Sequence, residues 1–222
     1  MKTLTTMDTK TTRGGVWRVG AAMALAAATA MGLAGCSIIP EATSDPTRFY
    51  VLSTPAGADG VAAAGTGSGS APSIYLRPVE VASYLRARAM VVRRGSNEIE
   101  FREFARWGES LEIGVARVLR EELLARGAAS SVSAGGSRRE HVASDAPVLS
   151  VRVLACEGMT HGGVAFRAAW ELTGHDGKAI ASGDYRATDL RWDGKSEASL
   201  AAQLSQAVAG LAGEVAAGLA KK

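Results

Sequence analysis

The chain has 222 residues, with 25 lysines and arginines against 22 aspartates and glutamates. Four of the basic residues and one of the acidic residues lie in the first 35, so the remaining 187 carry 21 charges of each sign. This balance gives no electrostatic argument for binding to nucleic acid or to an anionic lipid surface. The 187 residues suffice for one domain with a hydrophobic core of its own.

The N-terminal segment is predicted to be a lipoprotein signal peptide. Its basic start is followed by residues 19–34, an uncharged run rich in Ala, Met and Leu. Sixteen residues are too few for a membrane-spanning helix, which needs about 20. The run ends in Leu33-Ala34-Gly35-Cys36, where small residues precede a cysteine. We therefore predict that residues 1–35 are removed by cleavage between Gly35 and Cys36, and that Cys36 becomes the lipidated first residue.

Residues 36–47 are predicted to be a lipidated tether, because they contain two prolines and show no hydrophobic periodicity. Fully extended, the residues that follow Cys36 in this segment span about 35 Å. Ser37 follows the lipidated cysteine, whereas an aspartate in that position commonly retains a lipoprotein in the inner membrane. The expected location is therefore the outer membrane, where the chain is lipid-anchored and its domain faces the periplasm.

Residues 48–222 are predicted to form a single domain. Its first half contains a strand, a flexible Gly/Ser insertion at 55–73, a second strand interrupted at Pro78, and a short hairpin. A helix with one broad apolar face follows and ends at Gly127. Trp107, just before this helix, is predicted to be a buried structural residue. The predicted elements are strands at 48–53 and 74–81, a hairpin at 90–93 and 98–101, and a helix at 109–126.

The second half repeats the order of strands and a helix. Residues 148–156 are dense in apolar side chains, as in a central strand. Residues 164–172 alternate between apolar and polar and lead through a tight turn into a strand at 179–188. Ser196 is the predicted N-cap of a final helix. This order predicts an α+β fold in which an antiparallel or mixed sheet carries two main helices on one face.

The final helix has two sides of different character. Its apolar stripe suits packing on its own sheet, whereas the other side, with Ala202, Ala209, Gly213 and Ala216, has few charges. An Ala-rich surface accounts for this side, and so does close packing against another subunit. On the second interpretation the domain is a homo-oligomer, and Ala209→Glu weakens the assembly without unfolding the domain.

No set of residues has the pattern of a catalytic or metal site. The three histidines lie in predicted loops or turns, and none has the spacing of a metal-binding helix or a Cys/His cluster. The sequence contains no Gly-x-Ser-x-Gly nucleophile elbow. Since Cys36 carries the lipid, Cys156 has no disulfide partner and is predicted to be a small buried residue. The histidines are His141, His161 and His175.

The charged pairs are predicted to be solvated. Glu121-Glu122 falls on an exposed helix face, and Glu98 and Glu100 fall in the hairpin. Arg93-Arg94 and Arg138-Arg139 are too short for a nucleic-acid footprint, and no aromatic ladder accompanies them. We therefore expect a chain that is not an enzyme, holds no cofactor or metal, and does not bind nucleic acid.

Four segments give the chain a resemblance to a known family. Their order is similar to that of the PqiC/YmbA-like ABC-type transport auxiliary lipoproteins. Ala89 and Ser110 depart from the family pattern, which has proline at both positions in many members. The segments are Phe49-Tyr50-Val51-Leu52 with Pro55, Leu76-Arg77-Pro78-Val79-Glu80-Val81 with Tyr84-Leu85, Met90-Val91-Val92-Arg93, and Trp107-Gly108-Glu109-Ser110-Leu111.

The resemblance implies a role in lipid transport between membranes. Members are accessory lipoproteins of systems that pair a permease and an ATPase with a periplasm-spanning MCE-domain protein. The implied role is to dock that MCE protein at the outer membrane as a ring of subunits, which supports envelope integrity. The alternative is a lipoprotein of another class, either an activator of an envelope enzyme or a hydrolase.

Overall fold

The computed structural model of the chain describes residues 44–55, 71–134 and 145–220. The chain divides into two units, Met1–Asp45 and Pro46–Lys222, and the fold below is that of the second. Several sequence predictions lie outside the described residues and keep their status as predictions. They are the cleavage site at Gly35, lipidation of Cys36, the effect of Ser37, most of the tether and of the insertion, His141 and Arg138-Arg139.

The described residues form nine strands, two α-helices and one 3-10 turn, which follow the predicted order of strands, helix, strands, helix. Four of the strands are longer than predicted at one end. The elements are β1 (Arg48–Tyr50), β2 (Ser73–Leu76), β3 (Glu80–Val81), the 3-10 turn Ser83–Arg86, β4 (Ala89–Arg93), β5 (Ile99–Trp107), α1 (Leu111–Ala125), β6 (Ser131–Ala134), β7 (Val148–Met159), β8 (Val164–Thr173), β9 (Ala179–Arg186) and α2 (Glu197–Leu219).

Strand β7 is the centre of a mixed sheet, as its apolar composition predicts. Along one edge it pairs in parallel with β2, then β3, then β4; along the other it pairs antiparallel with β8, which continues to β9. Strand β5 joins β4 antiparallel, and β1 adds to β5 in parallel. The interruption predicted at Pro78 separates β2 from β3, because proline has no N–H to donate to the ladder. The α+β prediction with two helices is confirmed.

Helix α1 buries the face that its sequence period predicts. Leu111, Val115 and Leu119 are all buried in the core. The helix ends as predicted: Gly127 has a φ of 65°, and the N–H of Ala128 donates to the carbonyl of Leu123. A residue at this C′ position adopts the left-handed conformation, which glycine reaches without a steric cost.

Helix α2 packs against both the sheet and α1, and its small residues allow the close approach. A Cβ added at Gly210 would lie 2.9 Å from Cζ of Tyr185, and one added at Gly218 would lie 2.6 Å from Cη2 of Trp170. The rings of β8 and β9 therefore occupy the space that side chains on this helix would need. None of the described helices is long and apolar enough to cross a membrane.

The face of α2 predicted to meet another subunit is in part an intramolecular contact. Ala209 is buried, and its carbonyl accepts a hydrogen bond from Nη2 of Arg126, 3.0 Å away, at the end of α1. The same guanidinium lies beside Gly213. Ala216 is half-buried against the core, and Ala202 is exposed. The premise that Ala209 points away from its own fold is wrong, because α1 covers it.

Candidate functional site

The sequence did not single out one charged side chain that the structure shows to be buried. Glu157 follows Cys156 in β7 and is only 1 % exposed. Its Oε1 accepts a hydrogen bond from Nε of Arg93, and its Oε2 accepts one from the hydroxyl of Tyr84 at 3.0 Å. Oε1 therefore has a charged donor and Oε2 a neutral one, so both oxygens of the buried carboxylate are satisfied. Arg93, Tyr84 and Glu157 are called the Glu157 network below.

The strand pairing brings these three residues together. Arg93 ends β4, which pairs with the end of β7, and Tyr84 lies in the 3-10 turn directly after β3, which pairs with the middle of β7. The register of β7 against β8 shifts between Val153 and Ala155. After this bulge the strict alternation of exposed and buried residues stops, and Ala155 to Gly158 are all buried. Before the bulge the core-facing positions are odd, and after it Cys156 takes that side, opposite the buried Phe166. Glu157 therefore lies on the other face of the strand, where Tyr84 and Arg93 cover it.

The electrostatics of the network favour a fixed protonation state. Burial, reinforced by the neighbouring Glu157 carboxylate, raises the pKa of Tyr84 to about 12. The hydrogen bond that Arg93 donates to the Glu157 carboxylate is the main cause that raises the pKa of Arg93. At neutral pH the tyrosine therefore stays a neutral donor and the arginine stays charged, so the geometry suits a structural link between strands.

Two of the segments that carry the family resemblance meet in this network. Tyr84 belongs to the Tyr-Leu pair, and Arg93 ends the Met-Val-Val-Arg strand. Their partner Glu157 has one sequence signal, a single acidic residue that continues an apolar strand next to Cys156 and Gly158. The predicted strand stopped at residue 156, so that signal was missed.

The remaining charged and thiol predictions have mixed outcomes. Cys156 is buried and free, as predicted, and burial raises the pKa of its thiol. Glu122 contradicts the prediction of solvated charge: it is 5 % exposed and pairs with Arg126 at 2.9 Å. The predicted face was wrong because α2 packs there. Glu100 is half-buried and forms ion pairs with Arg94 and with Arg102.

The described histidines, His161 and His175, are exposed at turns. Among residues 44–55, 71–134 and 145–220, no group of three or more His, Cys, Asp or Glu side chains is placed to hold a metal ion. Trp107 is 5 % exposed at the end of β5, and its backbone N–H donates to the carbonyl of Arg88. The prediction that Trp107 is buried is therefore confirmed.

Exposed apolar side chains gather where the chain enters the domain. Three of the four phenylalanines are exposed: Phe49 by 63 %, Phe104 by 50 % and Phe101 by 45 %. Phe49 pairs with Arg106, and residues two apart in a strand share a face, so Phe49 and Phe104 lie on the same face. Phe49, Val51, Phe101 and Phe104 are called the aromatic edge below.

A cavity of about 430 Å³ lies beside the aromatic edge. Its lining includes Pro46, Tyr50, Phe101 and Phe104, together with Glu197 at the start of α2. The sequence missed this feature because the predicted hairpin ended at residue 101, whereas β5 continues to Trp107. Ala89 pairs with Arg106 and Val91 pairs with Phe101, so β5 has three more residues than β4 between these two pairs. Phe104 is one of the residues in this stretch of β5, and it lies on the surface.

Fold and site together define an α+β domain whose buried polar groups join strands and whose exposed apolar groups gather at one edge. The chain belongs to the family of ABC-type transport auxiliary lipoprotein components, which matches residues 50–216. As a member, it is an auxiliary lipoprotein component of an ABC-type transport system. The resemblance drawn from the sequence segments is thereby confirmed.

Solved structures share this fold at low sequence identity. An uncharacterized protein is 16 % identical, with a TM-score of 0.62, and the match covers 77 % of this chain and 97 % of the other. Protein XCC0632 from Xanthomonas campestris, of family DUF330, is 15 % identical, with a TM-score of 0.58, and the match covers 76 % and 92 % of the two chains. No curated protein matches the chain in sequence.

Proposed function

We propose that this chain is a non-enzymatic lipoprotein of the outer membrane that docks the periplasm-spanning MCE protein of a lipid transporter. The family match over residues 50–216 carries this proposal, since it assigns an auxiliary role in ABC-type transport to nearly the whole domain. The Glu157 network is consistent with it, because its groups are engaged in holding strands together. In this role the chain supports the integrity of the envelope.

The lipid anchor is tested first, at Cys36. The full chain is expressed with radiolabelled palmitate, and the parent is expected to incorporate label and to lose its leader. Cys36→Ser is expected to remain an unprocessed, unlabelled precursor, because it lacks the thiol that receives the lipid. Ser37→Ala serves as the control and is expected to be labelled like the parent. Label on Cys36→Ser would overturn the assignment of this residue.

The membrane is tested by density-gradient separation of the envelope. The parent is expected in the outer-membrane fractions, because Ser37 lacks the carboxylate that retains a lipoprotein in the inner membrane. Ser37→Asp is expected to shift the protein to the inner-membrane fractions at equal expression. A parent that sediments mainly with the inner membrane would contradict the proposed location.

The docking role is tested with an MCE-domain protein from the same organism. The detergent-solubilised, lipidated chain is immobilised, and binding of the purified MCE protein is measured against an unrelated lipoprotein of similar size. Saturable binding to this chain alone is the expected result. Absence of binding, combined with a normal lipid anchor, would leave the family role intact and overturn the MCE partner. Detergent sensitivity of cells that lack the chain tests the role in envelope integrity.

A further inference from the structure

The aromatic edge is an exposed apolar surface at one end of the sheet. Phe49 and Val51 lie in or just after β1, and Phe101 and Phe104 lie in β5. Phenylalanines are usually buried, so three exposed rings in two paired strands call for a partner that removes them from water. Phe166, in contrast, is fully buried in the core.

The position of this surface in the chain indicates the partner. Pro46 lines the cavity beside Phe101 and Phe104, and Phe49 lies three residues further along. Cys36 precedes Pro46 by ten residues, which reach at most about 35 Å when extended. A lipid attached at Cys36 therefore keeps the aromatic edge within a short distance of the bilayer, at a high effective concentration of lipid.

The chemistry of the surface suits the boundary between lipid and water. Aromatic rings are enriched at that boundary, and arginines reach from it to headgroups while their methylenes stay in apolar surroundings. Arg48 and Arg106 are exposed on the same two strands, and Phe49 is paired with Arg106. Glu103 is exposed there as well, so the apolar rings, rather than net charge, would supply the attraction.

We propose that the aromatic edge rests on the lipid bilayer that holds the chain's own anchor. This contact orients the domain, so that β1 and β5 face the membrane and β9, at the other end of the sheet, faces away from it. The inference rests on the proposed lipidation of Cys36, which supplies proximity. The phenylalanines supply orientation, which a flexible tether alone does not give.

The test uses the full lipidated chain reconstituted into vesicles of phosphatidylethanolamine and phosphatidylglycerol. Arg106→Cys carries a fluorophore beside Phe49 and leaves all the phenylalanines in place. Arg186→Cys, exposed on β9, is the matched control. Cys36 is blocked by its lipid, and Cys156 is buried, so neither takes up the label. Spin-labelled lipid is expected to quench the label at position 106 about two-fold or more strongly than the label at position 186.

A second substitution shows whether the rings cause the contact. Phe49→Ser is expected to reduce the quenching at position 106, whereas Leu154→Ser, which removes an exposed apolar side chain of β7, is expected to leave it unchanged. Chains that float with the vesicles but are quenched equally at both positions would overturn this inference and leave the anchor intact. Chains that do not float would overturn the anchor and this inference with it. Energy transfer between labels at position 106 of different chains, without lipid quenching, would overturn it in favour of self-association.

Discussion

At the scale of single residues, Glu157 links parts of the chain that are far apart in sequence. Its two donors, Tyr84 and Arg93, lie 73 and 64 residues away. The carboxylate is almost fully removed from water, so its stability depends on these donors more than that of an exposed ion pair does. Neighbouring arginines in the sequence thus have unequal roles, since Arg94 pairs with Glu100 on the surface.

We expect Arg93→Ala to lower the free energy of unfolding by about 3–5 kcal/mol, because it leaves a buried carboxylate without its charged partner. Arg94→Ala is the matched control and should cost less than about 1 kcal/mol, as exposed ion pairs do. Denaturant unfolding monitored by tryptophan fluorescence measures both. Equal losses for the two variants would show that Glu157 is not held by Arg93.

Tyr84→Phe tests the second donor through its dependence on pH. The folded-state pKa of Tyr84 is raised from 10.0 to about 12, so the stability that its hydroxyl contributes is complete below pH 10 and is lost as the pH rises through 12. At pH 8 the variant should be about 2 kcal/mol less stable than the parent. The difference should shrink between pH 10 and pH 12. A constant difference across that range would contradict the hydrogen bond to Glu157.

At the scale of elements, the small residues of α2 have a structural explanation that periodicity does not reveal. Gly210 and Gly218 allow the helix to approach Tyr185 and Trp170, and Nε1 of Trp170 donates to Glu214 of the same helix at 2.9 Å. The helix is therefore fitted to particular rings of the sheet. A helical wheel shows that these positions are small, but it does not show what fills the space beside them.

Gly210→Ala and Gly213→Ala separate fit from helix propensity. At position 210 the added methyl group would overlap the ring of Tyr185, so we expect a net loss of about 2 kcal/mol even though alanine favours helix by about 1 kcal/mol. At position 213 the nearest atom, Nη1 of Arg126, is 3.6 Å away, so the same change should stabilise by up to about 1 kcal/mol. Thermal unfolding by circular dichroism measures both.

Tyr185→Phe provides an internal check of this explanation, because its hydroxyl oxygen is the atom nearest to the added methyl group. The substitution should recover part of the loss caused by Gly210→Ala. If the two losses are simply additive, the overlap is not the cause of the destabilisation.

At the scale of the whole molecule, the contact between α1 and α2 changes how self-association must be tested. Ala209 is 7 % exposed and lies against Arg126, so a glutamate there would disturb the domain itself. We expect Ala209→Glu to lower the Tm by the same amount at about 1 and about 100 micromolar protein, as for a monomolecular effect. Ala202→Glu, on the exposed side of the same helix, should leave the Tm unchanged. If the decrease in Tm caused by Ala209→Glu depended on protein concentration, Ala209 would instead lie in a contact between subunits.

Self-association itself stays a prediction that follows from the family resemblance. Sedimentation of residues 37–222 at tens of micromolar measures it directly. With Ala209 assigned to the contact between α1 and α2, the surface responsible has to lie elsewhere. A monomer under these conditions would remove the predicted ring.

The sequence by itself determined the features that depend on neighbours along the chain. The order of strands and helices, the buried face of α1, its end at Gly127, and the N-cap at Ser196 were all read from local patterns. The leader and Cys36 are read from a local pattern as well and stay predictions. Ser196 does cap α2, since its Oγ accepts from the N–H of Ser199 at 3.3 Å. Hydrophobic period, capping and turn chemistry act over a few residues, so a single sequence contains them.

The tertiary structure alone decided which distant segments meet. The partners of Glu157 depend on strand pairing around a bulge in β7, and the position of the aromatic edge depends on the shifted register of β4 and β5. The burial of Glu122 and the packing of α2 on two rings depend on how the helices pack. One shift in register changes which side chains face the core, and no local pattern near residue 157 specifies it. For that reason the element order could be predicted from the sequence, whereas the contacts that shape the candidate site could not.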